Sequence, residues 1–339
     1  MPLLDAGSSH AGRQPGRSAY AYGLACAIGT GVSFGLLGTL ANFAYRAGMG
    51  SATFTGVRAF IGASVLAVLL LLHRRLTIDL RTLSRREQLM LFIAVASNAT
   101  LNLALFAAYS AMTVALVVAI YFTYPLIVAF VSVAIGRERF TRARVAGLIF
   151  TTAGLVLVVG DQVGADARLS MVGLGCAAVT AICQASYLLV SRSGYTRVPP
   201  EQATFLILAG GAVLAAGMMV ATDLPAGRLV IWVGSTQSWI AVIIAGTVSA
   251  ALAKVWLLRA VRIIGGTRTA VVLLLEPLTG VILAALALGQ AIGLPEAIGG
   301  IGILVGAALV QRPSIATPVE PHGASAGLIG EHQKFEISA

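Results

Sequence analysis

Three ionisable side chains lie inside apolar stretches that are long enough to cross a lipid bilayer, where a charge is costly. Glu276 is the deepest, roughly 10 Å from the nearer end of its stretch and 18 Å from the farther end at about 1.5 Å per helical residue. A charge at that depth costs about 2.5 to 3.5 kcal/mol, so we expect the carboxyl to face a cavity or a partner. It could relay a proton or cation, contact an amine, or, when protonated, simply tie helices together by hydrogen bonds.

Lys254 and Arg58 lie nearer to the ends of their stretches. Lys254 comes only five residues before Arg259, and Arg58 lies about 9 Å from the end of its helix, so both long side chains could extend to the membrane surface. If Lys254 points inward instead, it is a natural partner for Glu276 or for a bound carboxylate. The sequence leaves both orientations open.

Polar and aromatic side chains recur at helical spacing on three other stretches. They are Asn98, Asn102 and Tyr109 on the first, Tyr121 and Tyr124 on the second, and Gln184 and Tyr187 on the third. Such groups could line a polar cavity with aromatic walls. Hydrogen bonds between helices, worth about 0.6 to 2 kcal/mol each, would explain them equally well.

Two prolines interrupt their stretches near the middle. Pro125 and Pro277 lack an amide proton, so each frees the carbonyl four residues earlier and kinks its helix. Irregular backbone at membrane depth is tolerated where protein or a water-filled cavity satisfies it. The kinks therefore predict paired hinges or cavity walls, although prolines are also common in membrane helices.

The composition is typical of a membrane protein, with 58% hydrophobic and only 11% charged residues in a chain of 339. Ten stretches approach the ~20 apolar residues that a spanning helix needs, and they leave no room for a large soluble domain. The stretches cover residues 20–44, 52–72, 88–109, 112–135, 143–160, 171–190, 203–221, 238–258, 269–288 and 296–311.

The net charge of +10 comes from bases in short loops, without an aromatic-rich basic domain that would indicate a nucleic-acid partner. With the N-terminus in the cytoplasm, fourteen arginines fall in cytoplasmic loops and only Arg46, Arg168 and Arg228 in outer loops. The positive-inside rule therefore predicts a multi-pass protein of the cell membrane with both termini cytoplasmic.

Several signatures of catalysis or of bound cofactors are absent from the sequence. Lys254 and Lys334 are the only lysines, and neither belongs to a phosphate-binding loop. The four histidines lie in tails or loops, and no stretch holds a His/Cys/acid cluster that could bind a metal. We expect no cofactor, no metal and no enzymatic activity, and a secondary carrier is favoured over a nucleotide-driven pump.

The chain repeats itself at an offset near half its length. Residues 23–26 recur at 173–176, 52–54 at 203–205, and 125–126 at 277–278. Because each repeat holds five stretches, an odd number, the second copy must enter the membrane upside down. The sequence predicts an all-α membrane protein with ten transmembrane helices in two inverted five-helix repeats, 20–160 and 171–311, between an N-terminal tail, 1–19, and a disordered tail, 312–339.

The ordered landmarks resemble those of the EamA-domain transporters of the drug/metabolite transporter superfamily, over about residues 20–312. They are Phe34-Gly35 in the first helix, Arg58 in the second, Pro125 in the fourth, Glu276-Pro277 in the ninth, Gly136-Arg137-Glu138-Arg139 closing the fourth and Gly289-Gln290 closing the ninth. The chain departs from the family pattern in the inserted Arg137, in Gln290, which replaces an acid, and in Lys254, where an aromatic residue is more usual.

The resemblance implies transport of small organic metabolites such as amino acids, with export as the expected direction. Inverted repeats place substrate sites near the membrane midplane. We therefore expect alternating access to a site near Glu276, which could couple transport to protons. The lipid bilayer and a small molecule are the expected partners, and a homodimer is compatible with the sequence. A membrane-embedded enzyme or scaffold, or a channel, could use the same bundle.

Overall fold

The computed structural model describes residues 16–74, 80–112, 114–138, 141–160, 170–222, 225, 236–288 and 293–311. Within these ranges the regular structure is helical, without strands. The tail predicted at 312–339 and the Gly289-Gln290 landmark lie outside the described residues, as does most of the N-terminal tail. The first helix begins at Arg17, three residues before the predicted start of the first repeat.

The long helices are numbered α1 to α10 in chain order. They are α1 (Arg17–Arg46), α2 (Ser51–Leu72), α3 (Arg85–Ala111), α4 (Val114–Tyr121 and Tyr124–Ala134), α5 (Arg142–Gly160), α6 (Met171–Ser193), α7 (Pro200–Thr222), α8 (Thr236–Ile264), α9 (Gly266–Val272 and Leu275–Leu288) and α10 (Leu294–Gln311). A short 3-10 helix, Leu80–Thr82, precedes α3.

Nine helices in the described part of the chain, α1 to α9, are long and apolar enough to cross a membrane. The apolar part of α10, Ala297–Gln311, is shorter, so the predicted count of ten spans is met only in part. Large apolar side chains such as Phe60, Phe92 and Met171 point outward, between 65% and 79% exposed. An apolar outer surface of this kind is suited to contact with lipid.

Helices α4 and α9 each break near the middle into two segments. The turns are Phe122-Thr123 in α4 and Leu273-Leu274 in α9. Pro125 follows at the start of the second α4 segment, where its missing amide proton costs no helical hydrogen bond. Pro277 occupies the corresponding first turn in α9. Both breaks therefore lie at matching positions of the two halves.

The two halves contact each other along antiparallel pairs of equivalent helices. In α5 and α10, Gly147 lies against Gly306, and Gly154 lies against Gly299 and Gly302. In α2 and α7, Gly56 lies against Ala215, and Gly62 lies against Leu208. Further contacts join α3 with α6, and α1 with both α8 and α9. The small residues let these backbones approach closely, as is common between membrane helices.

The middle of α8 is a π-helix, Ala245–Leu252, which ends two residues before Lys254. Ser249 in this segment donates a hydrogen bond to the carbonyl of Ser33 in α1, at 2.6 Å. π-helical turns are rare and occur frequently at functional sites. This segment contacts α1 and α2, and it continues in the same helix into the turn that carries Lys254.

Candidate functional site

Lys254 points into the bundle and not toward the nearby helix end. Its ammonium donates a hydrogen bond to Oδ1 of Asn98 in α3, at 2.5 Å, and lies 5.5 Å from the ring centroid of Tyr187 in α6. Helical side chains lean toward the N-terminus of their helix. In α8 that direction leads away from Arg259 and Arg262, so the backbone itself directs Lys254 inward.

Glu276 lies in the first turn after the break in α9. Its carboxyl is within electrostatic range of both Lys254 and Arg58, and we call these three residues of α2, α8 and α9 the charged centre. Among the described residues, Glu276 makes no ion pair closer than 4.0 Å. All three residues are half-buried.

Arg58 differs from Lys254 in its hydrogen bonding. Its Nε is buried and has no hydrogen-bond partner in the described structure. Tyr45, near the end of α1, lies within electrostatic range of the guanidinium. Buried donors in folded proteins are nearly always satisfied, so an unpaired guanidinium donor requires an explanation.

Aromatic rings from α4 pack together within electrostatic range of Glu276. The Tyr121 ring lies 4.8 Å from that of Phe122 and 5.3 Å from that of Tyr124, centroid to centroid. Tyr124 is fully buried, and its hydroxyl donates a 3.4 Å hydrogen bond to the carbonyl of Ala270 in α9. Tyr124 also lies within electrostatic range of Glu276, its repeat counterpart.

The remaining polar residues singled out from the sequence are more dispersed. Asn102 donates to the backbone carbonyl of Asn98 at 2.7 Å and borders a small cavity between α2, α3 and α7. Tyr109 and Tyr121 lie within electrostatic range of Glu276. Gln184 is buried in α6, one turn before Tyr187. The structure brings Asn98, Tyr187 and the tyrosines to the charged centre, and places Asn102 at its edge.

One end of the bundle, which we call the arginine-rich end, carries ion pairs that the sequence did not predict. Glu138, just after α4, accepts a hydrogen bond from Arg192 of α6 at 3.0 Å and pairs with Arg144 of α5 at 3.6 Å. Arg192 belongs to the other half, so Glu138 links the two halves. The resemblance had marked Glu138 only as part of a motif, because hydropathy does not report partners on other helices.

Arg259 and Arg262 add further contacts at the arginine-rich end. Arg259 pairs with Glu201 of α7 and donates to the Tyr22 hydroxyl of α1 at 2.6 Å. Arg262 donates to the carbonyls of Val198 and Tyr195, at 2.8 and 3.2 Å. Burial raises the pKa of the Tyr195 hydroxyl to about 12, so it stays protonated at neutral pH. These bonds hold α1, α7 and α8 together at this end.

Comparison with protein families identifies the chain. The family model described as the EamA-like transporter family matches residues 21–160 and, separately, residues 171–312. The chain belongs to the EamA-like transporter family. The two matches coincide with the two halves and confirm the resemblance that the sequence landmarks indicated. Membership makes the chain a membrane transporter of the drug/metabolite transporter superfamily, in a family of transporters and not of enzymes.

A solved structure has a similar fold. One crystal structure aligns with a TM-score of 0.72 at 21% sequence identity, covering 87% of this chain and 96% of that chain. At this identity the likeness concerns the fold alone. A search of curated protein sequences finds no significant match.

In the described part of the chain, no group of histidine, cysteine and acidic residues could hold a metal ion.

Proposed function

We propose that the chain is a secondary transporter that exports small organic metabolites, such as amino acids, by alternating access. The proposal is carried by the placement of Arg58, from the first half, within electrostatic range of Lys254 and Glu276 from the second. Ionisable groups inside a membrane bundle mark substrate or ion routes. A site between two halves is also the place that opens to alternate sides when one half moves against the other.

The antiparallel packing of counterpart helices supports the inverted arrangement. α5 lies antiparallel to α10, and α2 antiparallel to α7, as two oppositely inserted repeats require. α10 packs along α5 from Gly147 to Gly154, so we assign it as the tenth span although its apolar part is short. The excess of arginines at the arginine-rich end supports a cytoplasmic location for that end, and for both termini, in the cell membrane.

Glu276 is the proposed coupling group. A carboxyl can exist with or without a proton, and this one has no close ion-pair partner in the described structure to hold it in one form. Its position in the turn after the α9 break places it where a hinge would move. Proton uptake and release at Glu276 would then be linked to the orientation of the two halves.

Counterflow in proteoliposomes tests the transport proposal. Substrates are first selected as metabolites whose export from cells rises with expression of the chain. Vesicles that contain the purified chain and unlabelled substrate should transiently accumulate the labelled substrate, because a carrier exchanges solutes through one alternating site. Empty vesicles are the control. A channel would equilibrate the label without overshoot, and an enzyme or scaffold would not move it; either result contradicts the proposal.

Glu138→Gln should open the arginine-rich end more often. The amide cannot form the ion pairs with Arg192 and Arg144, and a loss of about 1.4 kcal/mol would shift the opening equilibrium about tenfold. The measurement is the labelling rate of Asn102→Cys by an impermeant thiol reagent on the cytoplasmic side. The three native cysteines, Cys26, Cys176 and Cys183, are replaced beforehand.

Two comparisons control this experiment. Glu87→Gln, on the same side of the bundle, also removes an ion pair, but its partner Arg197 is largely exposed and 3.7 Å away, and glutamine suits the third position of the capping box. Labelling should therefore change much less than in Glu138→Gln. Arg86→Cys reports the orientation, since this exposed position should react only from the cytoplasm. Unchanged labelling in Glu138→Gln would exclude its role in closure, and reaction of Arg86→Cys from outside would overturn the proposed topology.

A further inference from the structure

The charged centre of the bundle carries more positive than negative groups. In the described middle of the bundle, Arg58 and Lys254 are accompanied by a single acid, Glu276. A guanidinium stays protonated in proteins, so Arg58 keeps its charge whatever its neighbours do. Uncompensated charge away from water is costly. A solute that brings one negative charge would lower this cost.

The two bases are not equally available to such a solute. Lys254 already donates to Asn98 and lies near the face of the Tyr187 ring. Arg58 has a buried Nε without a hydrogen-bond partner in the described structure. Paired N–H groups of a guanidinium match the two oxygens of a carboxylate, and such charge-assisted hydrogen bonds are stronger than neutral ones. Two arginines of the arginine-rich end also have an unpaired Nε, so a free donor does not by itself require a ligand; inside the bundle it makes Arg58 available to an oxyanion.

The backbone around Arg58 is fixed against the other half. A Cβ added to Gly246 in the π-helix of α8 would lie 3.1 Å from the Arg58 carbonyl oxygen, and one added to Gly62 would lie 3.0 Å from the Gly246 carbonyl oxygen. α2 and α8 thus touch through their backbones. An anion held by Arg58 would lie in the seam between the two halves, close to the helix that presents Lys254.

We propose that the site selects small monoanionic carboxylates, with the carboxylate bound by Arg58, and disfavours the amino acids of the same shape. An α-ammonium group would add a third positive charge to a centre that already holds two bases. A hydroxyl in the same position would add none. This inference rests on the proposed transport function and narrows its substrates from metabolites in general to organic anions.

Matched pairs of 2-hydroxy and 2-amino acids test the proposal. The probes are lactate with alanine, and 3-phenyllactate with phenylalanine, since each pair differs only in hydroxyl against ammonium at neutral pH. Binding to the purified full-length chain is measured from the ligand-induced rise in melting temperature, and exchange is measured in proteoliposomes. At least one hydroxy acid should bind about tenfold more tightly than its amino acid, a difference of about 1.4 kcal/mol.

Variants at Arg58 test whether this residue causes the preference for the hydroxy acid. Arg58→Gln should remove the advantage of the hydroxy acid, and Arg58→Lys should restore part of it, because the charge returns without the paired donors. Arg46→Gln, at the exposed end of α1, is the matched control and should bind like the unmodified chain. The pairwise comparison in the unmodified chain needs no variant, so it decides the question even if Arg58→Gln fails to fold.

The outcomes separate this inference from the proposed function. Equal or tighter binding of the amino acid, or no binding of either hydroxy acid, overturns the inference. Exchange of amino acids in the same vesicles would still support a transporter. Binding of the hydroxy acid without exchange of any solute would support the anion site but contradict the transport function.

Discussion

Replacement of Glu276 by glutamine is expected to lower the initial rate of proton-driven transport by at least about tenfold, equivalent to about 1.4 kcal/mol. Glutamine has nearly the same shape and can keep hydrogen bonds, but it neither carries a charge nor releases a proton. In the structure the Glu276 carboxyl lies within electrostatic range of Lys254 and Arg58 without a close ion pair, so its charge state would alter the net charge of the whole centre.

The measurement uses proteoliposomes with an imposed pH gradient, together with counterflow in the absence of a gradient. Glu87→Gln is the matched control, since it makes the same chemical change outside the charged centre and preserves the capping box. Loss of gradient-driven transport with preserved counterflow is the expected pattern. Undiminished proton-driven transport would remove Glu276 from coupling, and loss of both activities would assign it to substrate binding.

The orientation of the buried bases could not be predicted from the sequence. Both long side chains were within reach of a helix end, and hydropathy cannot distinguish a lysine that extends to the surface from one that points inward. In the structure Lys254 of α8 contacts Asn98 of α3 and the ring of Tyr187 of α6. This arrangement depends on three helices at once. The backbone of Arg58 is held by the close approach of α2 and α8, which is a property of tertiary packing.

Features encoded by local sequence were easier to predict than the orientation of the buried bases. Apolar length located the helices, and the repeat at 23–26 and 173–176 located the two halves that the family model matches separately. Pro125 and Pro277, at which the sequence predicts kinks, lie in the first turn after the breaks in α4 and α9. The π-helix of α8 and the ion pairs of Glu138 were missed, because neither leaves a periodic signal and both depend on neighbouring helices.

Gly154→Ala is expected to destabilise the fold by about 1 to 3 kcal/mol, the usual cost of overpacking a close contact. A Cβ added at this position would overlap the carbonyl oxygen of Gly299 and lie 2.8 Å from the amide nitrogen of Ile303. Both neighbours are backbone, so no side chain can rotate away. α5 and α10 must therefore move apart, and this pair is part of the seam between the halves.

Gly217→Ala makes the same substitution without the clash. Gly217 is exposed on α7, with nothing within 4 Å of an added Cβ, so alanine should stabilise its helix by up to about 1 kcal/mol through its higher helical propensity. The melting temperature of the purified chain in detergent should fall for Gly154→Ala and stay or rise for Gly217→Ala. Equal melting temperatures would show that α5 and α10 are not held at glycine-to-glycine contact. In that case the antiparallel contact of these counterpart helices could no longer support two inverted halves.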